Sequence, residues 1–292
     1  MQTANDATVS KFDFTNKNVA YYYDYTRRFY RVFWHGKTNA LHYGFHDETT
    51  KTPADELLRT IELTAKAGAI KETDVVADLG CGVGGSAFWI AKNCGAEVFG
   101  ITLSKSQCEK AVRLSREYSL QKATHFTSGD YFNTGYKSES FDVAFGIESL
   151  CYGQYNVEQL AKEMYRITKQ GGRVVVTDGF LGKESLTDEE AFGVGKFCEG
   201  FVLNKLITPQ AFMRALESAG FRDIKFDDWT EHVLPTAKRM YSLTRQWHSF
   251  IVFVTRLGLV PEIILKNNVT GQIQLKLFTE RTLVYGCITA QK

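Results

Sequence analysis

Val75-Val76-Ala77-Asp78-Leu79-Gly80-Cys81-Gly82-Val83-Gly84-Gly85-Ser86 decides how the rest of the chain is read. Residues 75–79 are mostly apolar and β-branched, as an interior parallel strand requires. The glycines after them remove Cβ atoms that would hold a ligand away from the backbone. Residues 87–93 then supply a helical turn, so free N–H groups and a positive dipole end face the same spot. Gly80, Gly82 and Gly85 satisfy the spacing of the dinucleotide fingerprint. Asp78 argues against a dinucleotide. A carboxylate just before the turn repels a pyrophosphate at the helix N-terminus and suits an ammonium on an amino-acid-bearing ligand.

A chain of 292 residues can bury a full core, and an α/β unit of this size can be one domain with insertions. Lys plus Arg number 35 against 33 Asp plus Glu, with no long basic block, so nothing asks for a nucleic-acid partner. The N-terminus is polar and no apolar run reaches membrane-spanning length, so a cytoplasmic protein without an integral membrane segment is expected. Six cysteines lie scattered without C-x-x-C pairs, which predicts a reduced compartment and no structural metal.

Residues 1–18 are polar. The chain then becomes aromatic from Tyr21 to Trp34, with Arg27, Arg28 and Arg31 between the rings. An amphipathic helix packing its aromatic stripe accounts for most of these rings. They exceed what one packing face needs, so Tyr22, Tyr23 and Trp34 are candidates for a substrate chamber, where ring faces hold apolar ligands and cations. Residues 41–47 read as a turn, and Thr52 before Pro53 caps a helix over 55–68. A second strand at 97–101 ends on Thr102, where many nucleotide folds carry a ribose-binding acid. Ser104 opens the next helix as its N-cap.

A third strand over 124–127 leads to Gly129-Asp130-Tyr131, a sequence that turn chemistry alone also favours. The fourth strand, 141–147, runs into Glu148, and the fifth, 173–177, has Asp178 at its tip. Asp78, Glu148 and Asp178 thus project from strand ends toward one crevice. Unpaired buried carboxylates are too costly for all three to be structural. Residues 182–208 are acidic and then aromatic, a helix follows Pro209, and a sixth strand spans 224–226. Residues 229–259 carry aromatic residues at near-helical spacing, and 283–290 read as a closing strand.

D-L-G-C-G-x-G-G-S resembles the first motif of class I S-adenosylmethionine (SAM) methyltransferases. G-I-T-L-S-K-S-Q resembles the matching stretch of cyclopropane-fatty-acid synthases and mycolic acid methyltransferases. There the threonine, the next backbone group and the glutamine bind the ribose, which implies Thr102, Leu103 and Gln107 here. With the Y-Y-Y-D lead, the H-Y-G-F turn, I-E-S and the final L-V-Y-G, the chain from Tyr21 onward resembles a group of small-molecule enzymes. The group is that of sterol 24-C-methyltransferase, tocopherol methyltransferase and geranyl diphosphate C-methyltransferase.

The resemblance implies a Rossmann-like α/β fold: a seven-stranded, mostly parallel sheet with strand seven antiparallel, helices on both faces and an added aromatic cap or lid. It divides the chain into an N-terminal aromatic cap (1–55), a SAM-binding core (56–181), lid helices with the sixth strand (182–280) and a closing strand (281–292). SAM is the implied cofactor. Asp78, Gly80, Gly82 and Gly146 would contact it, Asp130 would hold the adenine amino group and Tyr131 would cover the ring. His42 and Tyr43 fall where relatives bring an N-terminal segment over the cofactor. Glu148 occupies the position of an acid in the sterol and prenyl members.

The expected reaction is methyl transfer to a small apolar acceptor, foremost carbon methylation of a prenyl, terpenoid or sterol-like alkene. Glu148 would act as base or cation stabiliser, aided by His42 and Tyr43, with Tyr22, Tyr23, Trp34 and Asp178 toward the substrate. The alternative is O- or N-methylation, with His42, Tyr43 or Asp178 taking the proton. A non-catalytic SAM-binding protein and an NAD(P) dehydrogenase are the remaining readings. The acceptor, a possible diphosphate on it and any homo-oligomer stay open.

Overall fold

The computed structural model describes residues 12–30 and 38–292. Its strands are β1 (Val75–Leu79), β2 (Glu97–Thr102), β3 (Thr124–Ser128), β4 (Phe141–Ile147), β5 (Thr168–Leu181), β6 (Arg222–Asp228) and β7 (Leu283–Gln291). They pair in the order β3-β2-β1-β4-β5-β7-β6. β1 to β5 run parallel, and β7 lies antiparallel between β5 and β6. The helices are α1 (Asn16–Tyr30), α2 (Pro53–Ala67), α3 (Gly85–Cys94), α4 (Lys105–Glu117), α5 (Val157–Ile167), α6 (Asp188–Phe201), α7 (Pro209–Ala219), α8 (Thr230–Arg256) and α9 (Glu262–Thr279).

Strand periodicity builds two cores, because alternate side chains point to opposite faces. Val76, Val143 and Val175 join Ile61 of α2 and Ile90 of α3 on one face. Ala77, Ala144, Val174 and Val176 join Met164 of α5 and Phe212 of α7 on the other. The sheet is covered on both sides, which is why its inner strands read as continuous apolar runs.

Local signals set the helix starts. Thr52 caps α2 in a reciprocal capping box with Asp55, and Pro53 sits in the first turn. Ser104 caps α4 by accepting the Gln107 amide. Two elements differ from expectation. β5 does not stop at residue 177 but continues to Leu181, so Asp178 lies inside a strand, opposite Gly286 of β7. Pairing to β4 ends at Thr177, and antiparallel pairing to β7 carries the strand further. α9 falls in the stretch read only as lid helices (182–280), with no bounds of its own. Its buried residues include Asn268, Thr270 and Gln274, so the apolar period that marks a helix is diluted by buried polar groups.

α8 and α9 pack closely where Gly271 faces Thr244. A Cβ at Gly271 would stand 2.4 Å from Thr244 Cγ2. Thr244 is β-branched, and its hydroxyl bonds the Met240 carbonyl at 2.7 Å, so it cannot turn aside. Gly271→Ala is therefore expected to cost about 1–3 kcal/mol by overpacking, read as a lowered midpoint of thermal or urea unfolding.

Candidate active site

The glycine turn after β1 has two kinds of glycine. Gly80 has φ +96°, and a Cβ there would fall 2.3 Å from Ser149 Cβ. Protein packing alone demands glycine at that position, since Ser149 Oγ also donates to the Leu79 carbonyl at 2.5 Å. Gly82 has φ +56°, and among the described residues beyond its chain neighbours no atom lies within 4 Å of where its Cβ would stand. It faces open space, as a backbone approached by a ligand should. A Cβ on Gly85 would meet the Asn39 carbonyl at 2.4 Å, so the segment before α2 lies directly on the start of α3.

Asp78 is buried beneath this turn, and its Oδ2 has no hydrogen-bond partner among the described residues. Desolvation pushes its pKa to about 8. A buried carboxylate oxygen without a donor is costly unless a ligand supplies one. The cleft in front of it, about 1040 Å³ including space open to solvent, is lined by Gly80, Gly82, Thr102, Leu103, Gln107, Tyr131 and Glu148. Thr102 Oγ1 donates to Gln107 Oε1 at 3.0 Å, so the two form one polar unit at the end of β2. Glu97 begins β2 at the other end of the strand, exposed and bonded to His125 at 2.8 Å, too remote to replace them. An ammonium-bearing nucleoside fits this donor set: an anion for the ammonium, a Cβ-free turn and a hydroxyl–amide pair.

α1 roofs the cavity with Val19, Ala20 and Tyr23. It is tied down at its start and near its middle. Asp24 accepts from Ser104 Oγ at 2.7 Å and Ser106 Oγ at 2.6 Å, and Asn16 donates to Asp130 Oδ2 at 2.7 Å.

A second chamber, about 700 Å³ including space open to solvent, adjoins the first. Tyr23, Leu41, His42, Glu148 and Tyr152 line both, so they form the junction. Beyond it the walls are apolar or aromatic, with Tyr22, Tyr43, Phe197, Phe201, Met240, Phe278 and Tyr285, and Asp178 is the second acid. Glu148 sits at φ +47° just after β4, its amide donating to the Thr177 carbonyl at 2.9 Å. Its carboxylate accepts the Tyr43 amide. Burial raises its pKa to about 8, with the Tyr43 amide and the Tyr285 hydroxyl pulling the other way. Burial also raises Asp178 to about 7, against donation from the Gly179 amide at 2.9 Å and the Cys151 amide at 2.8 Å. His42 Nδ1 lies 2.9 Å from the Tyr43 carbonyl. A carbonyl can only accept, so in the neutral ring Nδ1 carries the proton and Nε2 is the basic nitrogen.

The cofactor cavity thus gathers Asp78, Gly80, Gly82, Thr102, Leu103, Gln107 and Tyr131, and the chamber gathers Tyr22, Tyr23, Tyr43 and Asp178, with His42 and Glu148 between. Asp130 and Gly146 stand outside the lining. Asp130 is engaged by Asn16 and by the Phe132 amide, and Gly146 makes room for Leu150 and Ser149. Trp34 lies outside the described residues. Tyr285, Met240 and Phe278 are site residues that sequence reading missed: Tyr285 and Met240 sit in a strand and a helix whose pattern reads as core, and Phe278 lies in α9, whose apolar period is diluted. Among the described residues no group of three or more His, Cys, Asp or Glu is arranged to hold a metal ion.

Residues 77–176 match the family described as a methyltransferase domain. Tocopherol O-methyltransferase of Arabidopsis thaliana, a chloroplastic protein, is 26% identical over 98% of this chain and 85% of that protein. The chain is a class I SAM-dependent methyltransferase. Norajmaline N-methyltransferase of Rauvolfia serpentina is 28% identical over 86% of this methyltransferase and 90% of that protein. Geranyl diphosphate C-methyltransferase from Streptomyces coelicolor, solved with S-adenosylhomocysteine, shares the fold with a TM-score of 0.72 at 19% identity, covering 99% of each chain.

Asp78 provides a pH signature for cofactor binding by this methyltransferase. Its raised pKa leaves it protonated below about 8, and an ammonium beside it favours the carboxylate, so binding must expel a proton. Affinity for S-adenosylhomocysteine is expected to rise by up to roughly tenfold per pH unit below the Asp78 pKa and to level off above it. Calorimetry in buffers of different ionisation enthalpy reads both the slope and the proton. Asp78→Asn should flatten the slope; an unchanged slope would place the ammonium elsewhere. Gly82→Val should remove binding from a chain that still unfolds cooperatively at a lowered midpoint, since the branched side chain enters the cavity and also strains a turn held at φ +56°.

Proposed function

We propose that the acceptor is a largely apolar prenyl, terpenoid or sterol-like alkene, methylated at carbon. The observation that carries this reading is the chamber itself: aromatic and aliphatic walls whose charged groups are two acids, one at the cofactor junction. Among the described residues lining the chamber there is neither lysine nor arginine, which favours an uncharged acceptor over one bearing a diphosphate.

SAM supplies an electrophilic methyl group on a sulfonium. Catalysis by the chain is then alignment, exclusion of water and management of charge. An alkene that gains a methyl group becomes a carbocation and must lose a proton. Aromatic faces stabilise the cation, and Glu148 stands at the junction to receive the proton. Burial makes Glu148 a stronger base than an ordinary carboxylate, and a neighbouring cation favours its ionised form. The Tyr43 amide fixes the carboxylate so that it need not reorganise during the reaction.

The second reading, O- or N-methylation, is favoured by one observation. His42 lines the same junction, and its Nε2 is the basic nitrogen of a neutral ring. A hydroxyl or amine acceptor would give its proton to His42 in place of Glu148.

The experiment that separates them supplies isotopically labelled SAM with prenyl, sterol and phenolic acceptors and locates the label. Glu148→Gln keeps shape and hydrogen-bonding capacity while removing charge and basicity. Turnover should fall about 100-fold or more while S-adenosylhomocysteine affinity is retained. Near-normal turnover in Glu148→Gln, or label recovered only on oxygen or nitrogen, sinks the alkene reading and moves the role to His42.

A further inference from the structure

α8 leaves the core as it nears its carboxyl end. Its buried residues, Thr230, Val233, Thr236 and Ala237, all lie in the first third. Beyond them Trp247, Phe250, Phe253 and Leu257 recur at helical spacing on one stripe. They are 42%, 56%, 59% and 57% exposed, and Leu259, 68% exposed, extends the stripe into the turn before α9. A different side of the helix is committed to α9, where His248 Nδ1 lies 2.7 Å from Asn268 Oδ1. An exposed apolar stripe of this size on a folded protein marks a surface that something covers.

Charge indicates what covers it. No Asp or Glu occurs between Glu231 and Glu262, whereas Lys238, Arg239, Arg245 and Arg256 do. Arg239 is taken by Glu56, but Lys238, Arg245 and Arg256 are exposed. Spacings of seven and eleven residues bring these three to one line along the helix, flanking the apolar stripe. Glu262, the first acid after the stripe, is paired with Lys266 at 3.5 Å. Among the described residues no helix is long and apolar enough to cross a membrane, so the element can lie on a bilayer but not span it.

We propose that the carboxyl-terminal half of α8 docks on an anionic lipid surface, with Trp247, Phe250, Phe253, Leu257 and Leu259 at the headgroup–acyl boundary. Lys238, Arg245 and Arg256 face the lipid phosphates. A second copy of the chain is the poorer occupant, because a two-fold contact sets the same cations against one another. A lipid surface is complementary to both the stripe and its flank. Met240, one stretch earlier on the same helix, lines the acceptor chamber, so docking brings that wall toward the bilayer.

Co-sedimentation of the full chain with vesicles tests this, using phosphatidylcholine alone or phosphatidylcholine mixed with phosphatidylglycerol. The assay contains no acceptor, so its outcome is separate from the choice of methylated atom. Binding is expected to the mixed vesicles and to weaken with salt. Arg245→Gln with Arg256→Gln should weaken it about thirtyfold, the value of two interfacial cations. Phe250→Ser with Phe253→Ser should abolish it. Both variants should keep wild-type affinity for S-adenosylhomocysteine, which certifies the fold. Absence of binding to either vesicle, or binding unchanged in the arginine pair, overturns the proposal. So does a dimer in sedimentation equilibrium that the phenylalanine pair dissociates, which makes the stripe an interface between copies.

Discussion

Residues 38–46 lying across the carboxyl edge of the sheet are the contact on which the rest of the site depends. Asn39 sits on Gly85, the Tyr43 amide donates to Glu148, and the Phe45 amide bonds the Glu56 carbonyl at 3.0 Å. The Gly44 amide donates to Thr236 of α8, and the His46 amide to the His232 carbonyl, so the same strap also holds the late helices. Without this cover the strand-end acids would face water and titrate as ordinary carboxylates. With it, desolvation is the first cause of every raised carboxyl pKa in the crevice.

Desolvation acts alike on the three acids, but their partners differ, and the partners assign the roles. Asp178 is answered by two backbone amides of the protein. Glu148 accepts the Tyr43 amide. Asp78 keeps one oxygen without a donor among the described residues, a cost that an incoming cation would relieve. The strap then divides the crevice: Leu41 and His42 line both halves, with a nucleoside-sized cavity on one side and an aromatic chamber on the other. A methyl donor and its acceptor need to meet across such a junction with water kept out.

The comparisons and the geometry carry different parts of the functional reading. The methyltransferase domain spans residues 77–176, the strands and turn that build the cofactor cavity. The chamber draws on α1, α6, α8, α9 and β7, nearly all outside that span. Relatives named for oxygen, nitrogen and carbon methylation share the first part, so the acceptor is a question about the second.

What the sequence by itself determined are features whose cause is local. The β1 run, the glycine turn, the caps at Thr52 and Ser104, and the hydrogen bond between Thr102 and Gln107 follow from short-range sterics and hydrogen bonding. Strand-end placement of Asp78 and Glu148 was legible for the same reason, since a strand's length and exit are written in consecutive residues. Only the tertiary structure decided which glycine is shaped by protein and which by open space, because Ser149 lies 69 positions from Gly80. It alone extended β5 past Asp178 and brought Tyr285 to Glu148, since antiparallel pairing with β7 joins segments a hundred residues apart. α9 was hidden because Asn268, Thr270 and Gln274 are buried by partners that no periodicity reveals. Long-range contacts set burial, and burial set the chemistry of the site.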